Sequence, residues 1–237
     1  DINLFDDNTL IDPWEAYDRL REHAPVYYMT DLNIHVVTRY DLLMQAARDV
    51  ETFSSQFGDF LRASQMRAFA AAPPEVQKEV SKHDAKMVVQ PATLLSADPP
   101  VHGKYRSLVD KLFTAGQVRK MEPFVQGIID DTIDDFIDEG EIDFIDRFAF
   151  PIPLKIIADR FGIPEADHPL FFSGATALAS GLRATVPSHE EMIRRAKLGV
   201  ELQQFLIALL EEKRKKPSND MISLLGEVRL EDEDRPL

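Results

Sequence analysis

At 237 residues, with 44% hydrophobic and 29% charged side chains, the chain has a globular composition able to bury a substantial core, as one large domain or two small ones. Its net charge of −14 argues against general binding to nucleic acid or to an anionic membrane, and zero cysteine excludes disulfides, thiolate metal sites and cysteine nucleophiles within these residues. No apolar stretch approaches the length of a bilayer span and no signal peptide opens at Asp1, so a cytoplasmic location is expected.

Asp12-Pro13-Trp14-Glu15 predicts a helix start, with Asp12 capping, Pro13 in the first turn, Glu15 closing a capping box, and an end near His23. Pro25 to Met29 and Ile34 to Val37 are rich in β-branched and aromatic residues around a short polar break, which predicts a β-hairpin. Thr38 opens a short helix through Leu42, Leu43 and Ala46. From Phe57 to Ala97 the pattern weakens into helical pieces, near Leu61 to Ala71 and Pro74 to Lys82, interrupted by prolines; irregular stretches of that length are usually functional or mobile.

The rest reads as helical. Thr114 caps a short turn with Gln117 at the capping-box position, and Pro123 opens a longer helix. Val125, Ile128, Ile129, Thr132, Ile133 and Phe136 line one face of that helix, with Asp130, Asp131, Asp134, Asp135 and Asp138 away from it. Helical sequence covers Asp146 to Arg160, ended by Gly162 and Pro164, then Glu165 to Ser180. Ser188, with Glu191 three residues on, caps a long helix that ends in Lys213 to Lys216, as the helix dipole favours; Met221 to Val228 adds a short one.

Several chemistries are missing from the text of the chain. There is no phosphate-binding glycine loop, no nucleophile elbow and no pair of histidines at a helical metal-ligand spacing. Glu191-x-x-Arg194 and Glu211-x-x-Arg214 read as ordinary i,i+3 surface pairs. Charge is unevenly spread: nine acidic and no basic residues lie between Asp130 and Asp146, whereas Lys104, Arg106, Lys111, Arg119 and Lys120 face only Asp110 between Val101 and Lys120. Within that basic stretch Asp98-Pro99-Pro100 starts a helix that puts His102 and Arg106 one turn apart on one face. Arg106 offers a permanently charged fork and His102 a second donor, a pair able to clamp an anion. By spacing alone such a pair is more often a surface accident.

The run from Ala97 to Thr114 resembles the bacterial cytochrome P450 signature D-P-P-x-H-T-R-x-R followed by an apolar run and F-T, with Gly103 where Thr is usual and Lys104 where the first Arg stands. Further stretches resemble the same family in the same order. They are Asp12-Pro13-Trp14 with Leu20-Arg21 and Ala24-Pro25-Val26; Glu51-Thr52-Phe53-Ser54-Ser55; Phe150-Pro151-Ile152-Pro153 through Phe161-Gly162-Ile163-Pro164; and Glu211-Glu212-Lys213-Arg214 with Pro217 and Asp220 to Leu225. The resemblance implies a mainly α fold with a small β-hairpin, the N-terminal part of a single cytochrome P450 domain. Residues 1–57 would form the first helix and hairpin, 58–97 an irregular substrate lid, and 98–237 a helical region.

It also implies haem as cofactor, with His102 and Arg106 on the haem propionates, and the insertion of one oxygen atom from O2 into an organic, apolar substrate by the full-length parent. The oxygen-activating helix and the cysteine ligand are expected beyond Leu237, so the 237 residues should not catalyse alone. Phe171, Phe172, Ala175, Leu178 and Leu182 resemble substrate-lining positions, although ordinary core packing accounts for any one of them equally. Lys111, Arg119 and Lys120 are candidates for docking a ferredoxin-type electron donor, with a merely solvated patch as the equal alternative. The other overall readings are a non-catalytic helical interaction module, self-associating through uncovered core, and a helical ligand carrier.

Overall fold

A computed structural model describes residues 2–4, 6–56, 58–88, 93–110, 112–181 and 187–227. Its architecture is helical with one two-stranded sheet among the described residues, and its chain divides into two compact units.

The first unit holds residues 1–57 and 95–99. Asp6 caps a short helix α1 (Asp7–Ile11), its carboxylate accepting the N–H groups of Asn8 and Thr9. Asp12 ends this helix rather than starting the next: helix α2 (Trp14–His23) begins after Pro13 with no side-chain cap, so the expected capping role of Asp12 and Glu15 is not realised. The asparate is already committed to closing α1, where its own N–H bonds the Asn8 carbonyl. Strands β1 (Val26–Met29) and β2 (Ile34–Val37) pair antiparallel, Val26 opposite Val37 and Met29 opposite Ile34, and Asn33 takes the left-handed conformation in the turn that asparagine tolerates well. Helix α3 (Tyr40–Arg48) follows. The Asp98 carboxylate binds this unit's two chain segments together. It accepts the Ser54 hydroxyl at 2.6 Å, the Ser55 N–H at 2.7 Å and the Gln56 amide at 3.3 Å.

The second unit holds residues 58–94 and 100–237. Its helices are α4 (Gly58–Ala71), α5 (Pro74–Asp84), α6 (Val101–Asp110), α7 (Ala115–Asp134), α8 (Pro151–Phe161), α9 (His168–Ser180), α10 (His189–Lys215) and α11 (Met221–Glu227), with a π-helical turn at Ile145–Ala149 before α8. Thr114 does cap α7, accepting the Gln117 N–H at 3.3 Å, but Pro123 lies inside one continuous helix instead of opening a second. Proline removes a single N–H from the ladder, so the Arg119 carbonyl loses its donor while the turns on either side hold. The apolar stripe of α7 is turned inward, and Asp130, Asp131 and Asp134 of the helix, with Asp135 and Asp138 just beyond it, are exposed.

Helix α10 is the axis of the unit and packs against α5, α9 and α11. Ser188 caps it, accepting the Glu191 N–H at 3.1 Å, and Lys213, Arg214 and Lys215 occupy its last turn. The main core gathers Ala158 of α8, Ile163, Phe171 of α9, and Leu202 and Leu209 of α10, with Phe161, Phe172, Phe205, Leu206 and Ile222 against it. Gly174 permits the α9–α10 contact. A Cβ there would come within 2.6 Å of the Leu202 Cβ, closer than side-chain carbons approach. Among the described residues no helix is long and apolar enough to cross a membrane.

Candidate functional site

Helix α6 is unbroken from Val101 to Asp110, so His102 and Arg106 are successive residues of one ridge, one turn apart. Leu108 is the buried anchor of this helix at 6% exposure. With 100° between residues, Arg106 falls nearly opposite Leu108, and His102 falls at the margin between the two sides. Burial agrees: His102 is half-buried and Arg106 exposed.

The first turn of α6 carries no acidic residue, and a helix N-terminus itself favours negative charge. In the last turn, Asp110 accepts a hydrogen bond from the Arg106 Nε at 2.7 Å. Both side chains of this pair are more than half exposed, where such contacts contribute little and exchange readily. The bond uses the Nε edge of the guanidinium fork. The donor set, one permanent cation and one imidazole on a single ridge, fits a carboxylate-bearing group such as the propionates of haem. Among the described residues no group of three His, Cys, Asp or Glu could hold a metal ion, and the chain has no cysteine to serve as an axial thiolate.

Of the candidate substrate-lining residues, Phe171 is buried in the main core and Phe172 packs beside it, the two rings meeting edge to face. Ala175 is half-buried, Leu178 is exposed, and Leu182 lies outside the described residues. Arg119 and Lys120 are exposed in the first turns of α7, while Lys111 lies outside the described residues.

Three polar clusters carry more than their spelling showed. Glu191 accepts from Arg194 at 2.6 and 2.9 Å, from Arg195 at 2.8 Å and from the Ser180 hydroxyl at 3.1 Å, so it ties the end of α9 to the start of α10. The Arg194 fork, with Arg195 and Ser180, holds its carboxyl down to about 2. Lys213 pairs with Asp220 beneath the end of α8. Gln203 of α10 bonds both main-chain groups of Val88. Local spacing signalled the Glu191–Arg194 pair; nothing local in the sequence signals the other two.

No protein-family model matches the chain. Cytochrome P450 107B1 of Saccharopolyspora erythraea is 30% identical over 238 residues, covering 99% of this chain and 54% of that protein. The 6-deoxyerythronolide B hydroxylase of the same organism is 28% identical over 235 residues, covering 98% of this chain and 54% of that protein. Among solved structures, cytochrome P450 CYP109Q5 from Chondromyces apiculatus superposes with a TM-score of 0.75 at 23% identity, over 98% of this chain and 52% of that one, a likeness of fold. The chain spans about half the length of the curated relatives it matches. These likenesses are all to cytochrome P450s, and the architecture matches the N-terminal part of that fold. Cytochrome P450s bind haem.

Proposed function

We propose that the protein is a haem-dependent monooxygenase in which His102 and Arg106 bind the haem propionates. The observation that carries this is the placement of both donors on one ridge of α6, with no acid in its first turn. Haem, once bound through a cysteine thiolate, supplies the oxygen-activating chemistry. What these residues do is hold its carboxylates: Arg106 by charge and a forked donor set, His102 by a single hydrogen bond. In another pair of family words, Asp98, three residues before α6 begins at Val101, accepts hydrogen bonds from Ser54 and Ser55.

The substrate in this reading is organic and apolar, contacted by exposed parts of α9 such as Leu178 and by the segment from Phe57 to Leu95. Phe171 supports that surface from within the core. A ferredoxin-type donor would dock near Lys111, Arg119 and Lys120 by charge complementarity, and a cytoplasmic location belongs to the same reading. These 237 residues, lacking any cysteine, do not catalyse by themselves. Ile137 beyond the end of α7, Phe144, Ile145 and Phe150 around the π-helical turn, and Ile157 of α8 are exposed apolar side chains.

The test is His102→Ala with Arg106→Ala in the full-length protein, read as haem retained after gel filtration. Loss of retention, on the order of 10-fold or more in affinity for two charge-assisted contacts, supports the assignment. Undiminished retention removes it. Haem added to the 237-residue chain gives no thiolate-type spectrum on this reading.

A further inference from the structure

We infer that Gln203 is a two-way amide clip that keeps α5 and residues 86–88 seated on α10, so that the strap from Gln65 to Val88 and the α9–α10 pair move as one cap. The Gln203 Oε1 accepts the Val88 N–H at 2.7 Å, and its Nε2 donates to the Val88 carbonyl at 2.9 Å. A single side chain thus satisfies both main-chain groups of a residue 115 positions away, the exchange of bonds that two paired strands make. Burial does not hold Val88, whose side chain is 56% exposed. The amide does.

Two further attachments bracket the strap. At its start, Gln65 donates to the Gly181 carbonyl at the end of α9, at 2.9 Å. At its centre, Ala72, Val76 and Val80 are buried, with Met192, Ile193 and Ala196 of α10 and Phe69 against them. The turn between α4 and α5 is closed by Gln77, whose amide donates to the carbonyls of Ala70 at 3.2 Å and Ala72 at 2.8 Å. Apolar contact is non-directional and tolerates sliding, whereas a paired amide fixes register. The clip therefore sets where α5 rests on α10, and the apolar contact supplies most of the adhesion. That the cap bounds a substrate site rests on the proposed function; the mechanical coupling does not.

The test is amide hydrogen exchange in the full-length protein without substrate, comparing wild type, Gln203→Ala and Gln203→Glu. In Gln203→Ala, exchange at Val88 and across residues 74–84 rises together, by about 10-fold, as expected for loss of two hydrogen bonds, while amides around Ala158 and Phe171 keep their protection. Gln203→Glu keeps an acceptor for the Val88 N–H but loses the donor to its carbonyl, so Val88 stays protected and residues 74–84 show an intermediate rise. Unchanged exchange at 74–84 in Gln203→Ala overturns the inference, as does an equal rise throughout α8 and α9. Because the readout involves neither haem nor turnover, failure of the His102 and Arg106 assignment leaves this result standing, and the reverse holds.

Discussion

The Lys213 ammonium lies 2.6 Å from the Asp220 carboxylate, the two side chains only 16% and 6% exposed, and the pair closes over the left-handed Gly162. Around it Ser218 bridges, accepting from Lys213 at 2.9 Å and donating to Asp220, while Asp220 caps α11 by accepting the Ser223 N–H at 2.8 Å. Burial alone would raise the Asp220 carboxyl, but Lys213, Ser218 and Ser223 together bring it below its ordinary range. The ends of α8 and α10 and the start of α11 meet here. A charge pair this sheltered keeps its place only because every partner is satisfied.

Gly162→Ala is expected to lower stability by about 2–4 kcal/mol, from left-handed backbone strain plus the cost of displacing the hydrogen-bonded Asp220–Lys213 pair. A Cβ at Gly162 would lie 2.5 Å from the Asp220 Oδ2 and 2.8 Å from the Lys213 Nζ. Gly140 supplies the control: it is also left-handed, at φ 75°, but nothing stands within 4 Å of its would-be Cβ. Gly140→Ala should cost only the backbone part, about 1–2 kcal/mol. Denaturant midpoints of the two variants, at unchanged slope, give the collision as their difference. Equal losses would show that Asp220 and Lys213 move aside freely.

Glu191 should make stability depend on pH in the acid range. Its carboxyl is held near 2 against an ordinary 4.5, chiefly by the Arg194 fork. A depressed carboxyl contributes its full stabilisation above 4.5 and loses it as pH falls toward 2. Glu191→Gln should therefore be less stable than wild type at neutral pH and approach it as pH drops through that window. The cap on α10 survives the change, since Ser188 accepts the main-chain N–H of residue 191. Thermal midpoints of both proteins across the acid range check the convergence, and parallel curves would refute it.

The architecture was largely legible because its signals are local. The β-branched runs at Val26 and Ile34 formed the expected hairpin, the stripe from Val125 to Ile133 lies on a helix as expected, and the Ser188 cap and the Gly162 terminus stand where the sequence placed them. Local signals failed where two uses competed for one residue. Asp12 could open α2 or close α1, and it closes α1; Pro123 could start a helix or sit inside one, and it sits inside. The helix bearing His102 and Arg106 was readable from Asp98-Pro99-Pro100, but the bond from Arg106 to Asp110 depends on rotamers that spacing does not set. Contacts such as Gln203 with Val88 join residues whose neighbourhoods share no pattern, so only the folded chain reveals them.

That same Arg106–Asp110 bond yields a prediction about cofactor affinity. The carboxylate of Asp110 occupies the Nε edge of Arg106 at 2.7 Å and sets a negative charge one turn from a site proposed to receive two more. Holding the guanidinium in one pose favours binding, whereas competition and like-charge repulsion oppose it. The pair is 60% and 56% exposed, so the pose is weakly held and its entropic benefit is small. Competition should win. Asp110→Asn in the haem-stripped full-length protein should bind haem about 2- to 5-fold more tightly, the range set by a weak surface pair. Titration followed by absorbance measures it, at two salt concentrations, since screening should shrink the gain. A loss of affinity would mean instead that Asp110 aims Arg106 at its ligand.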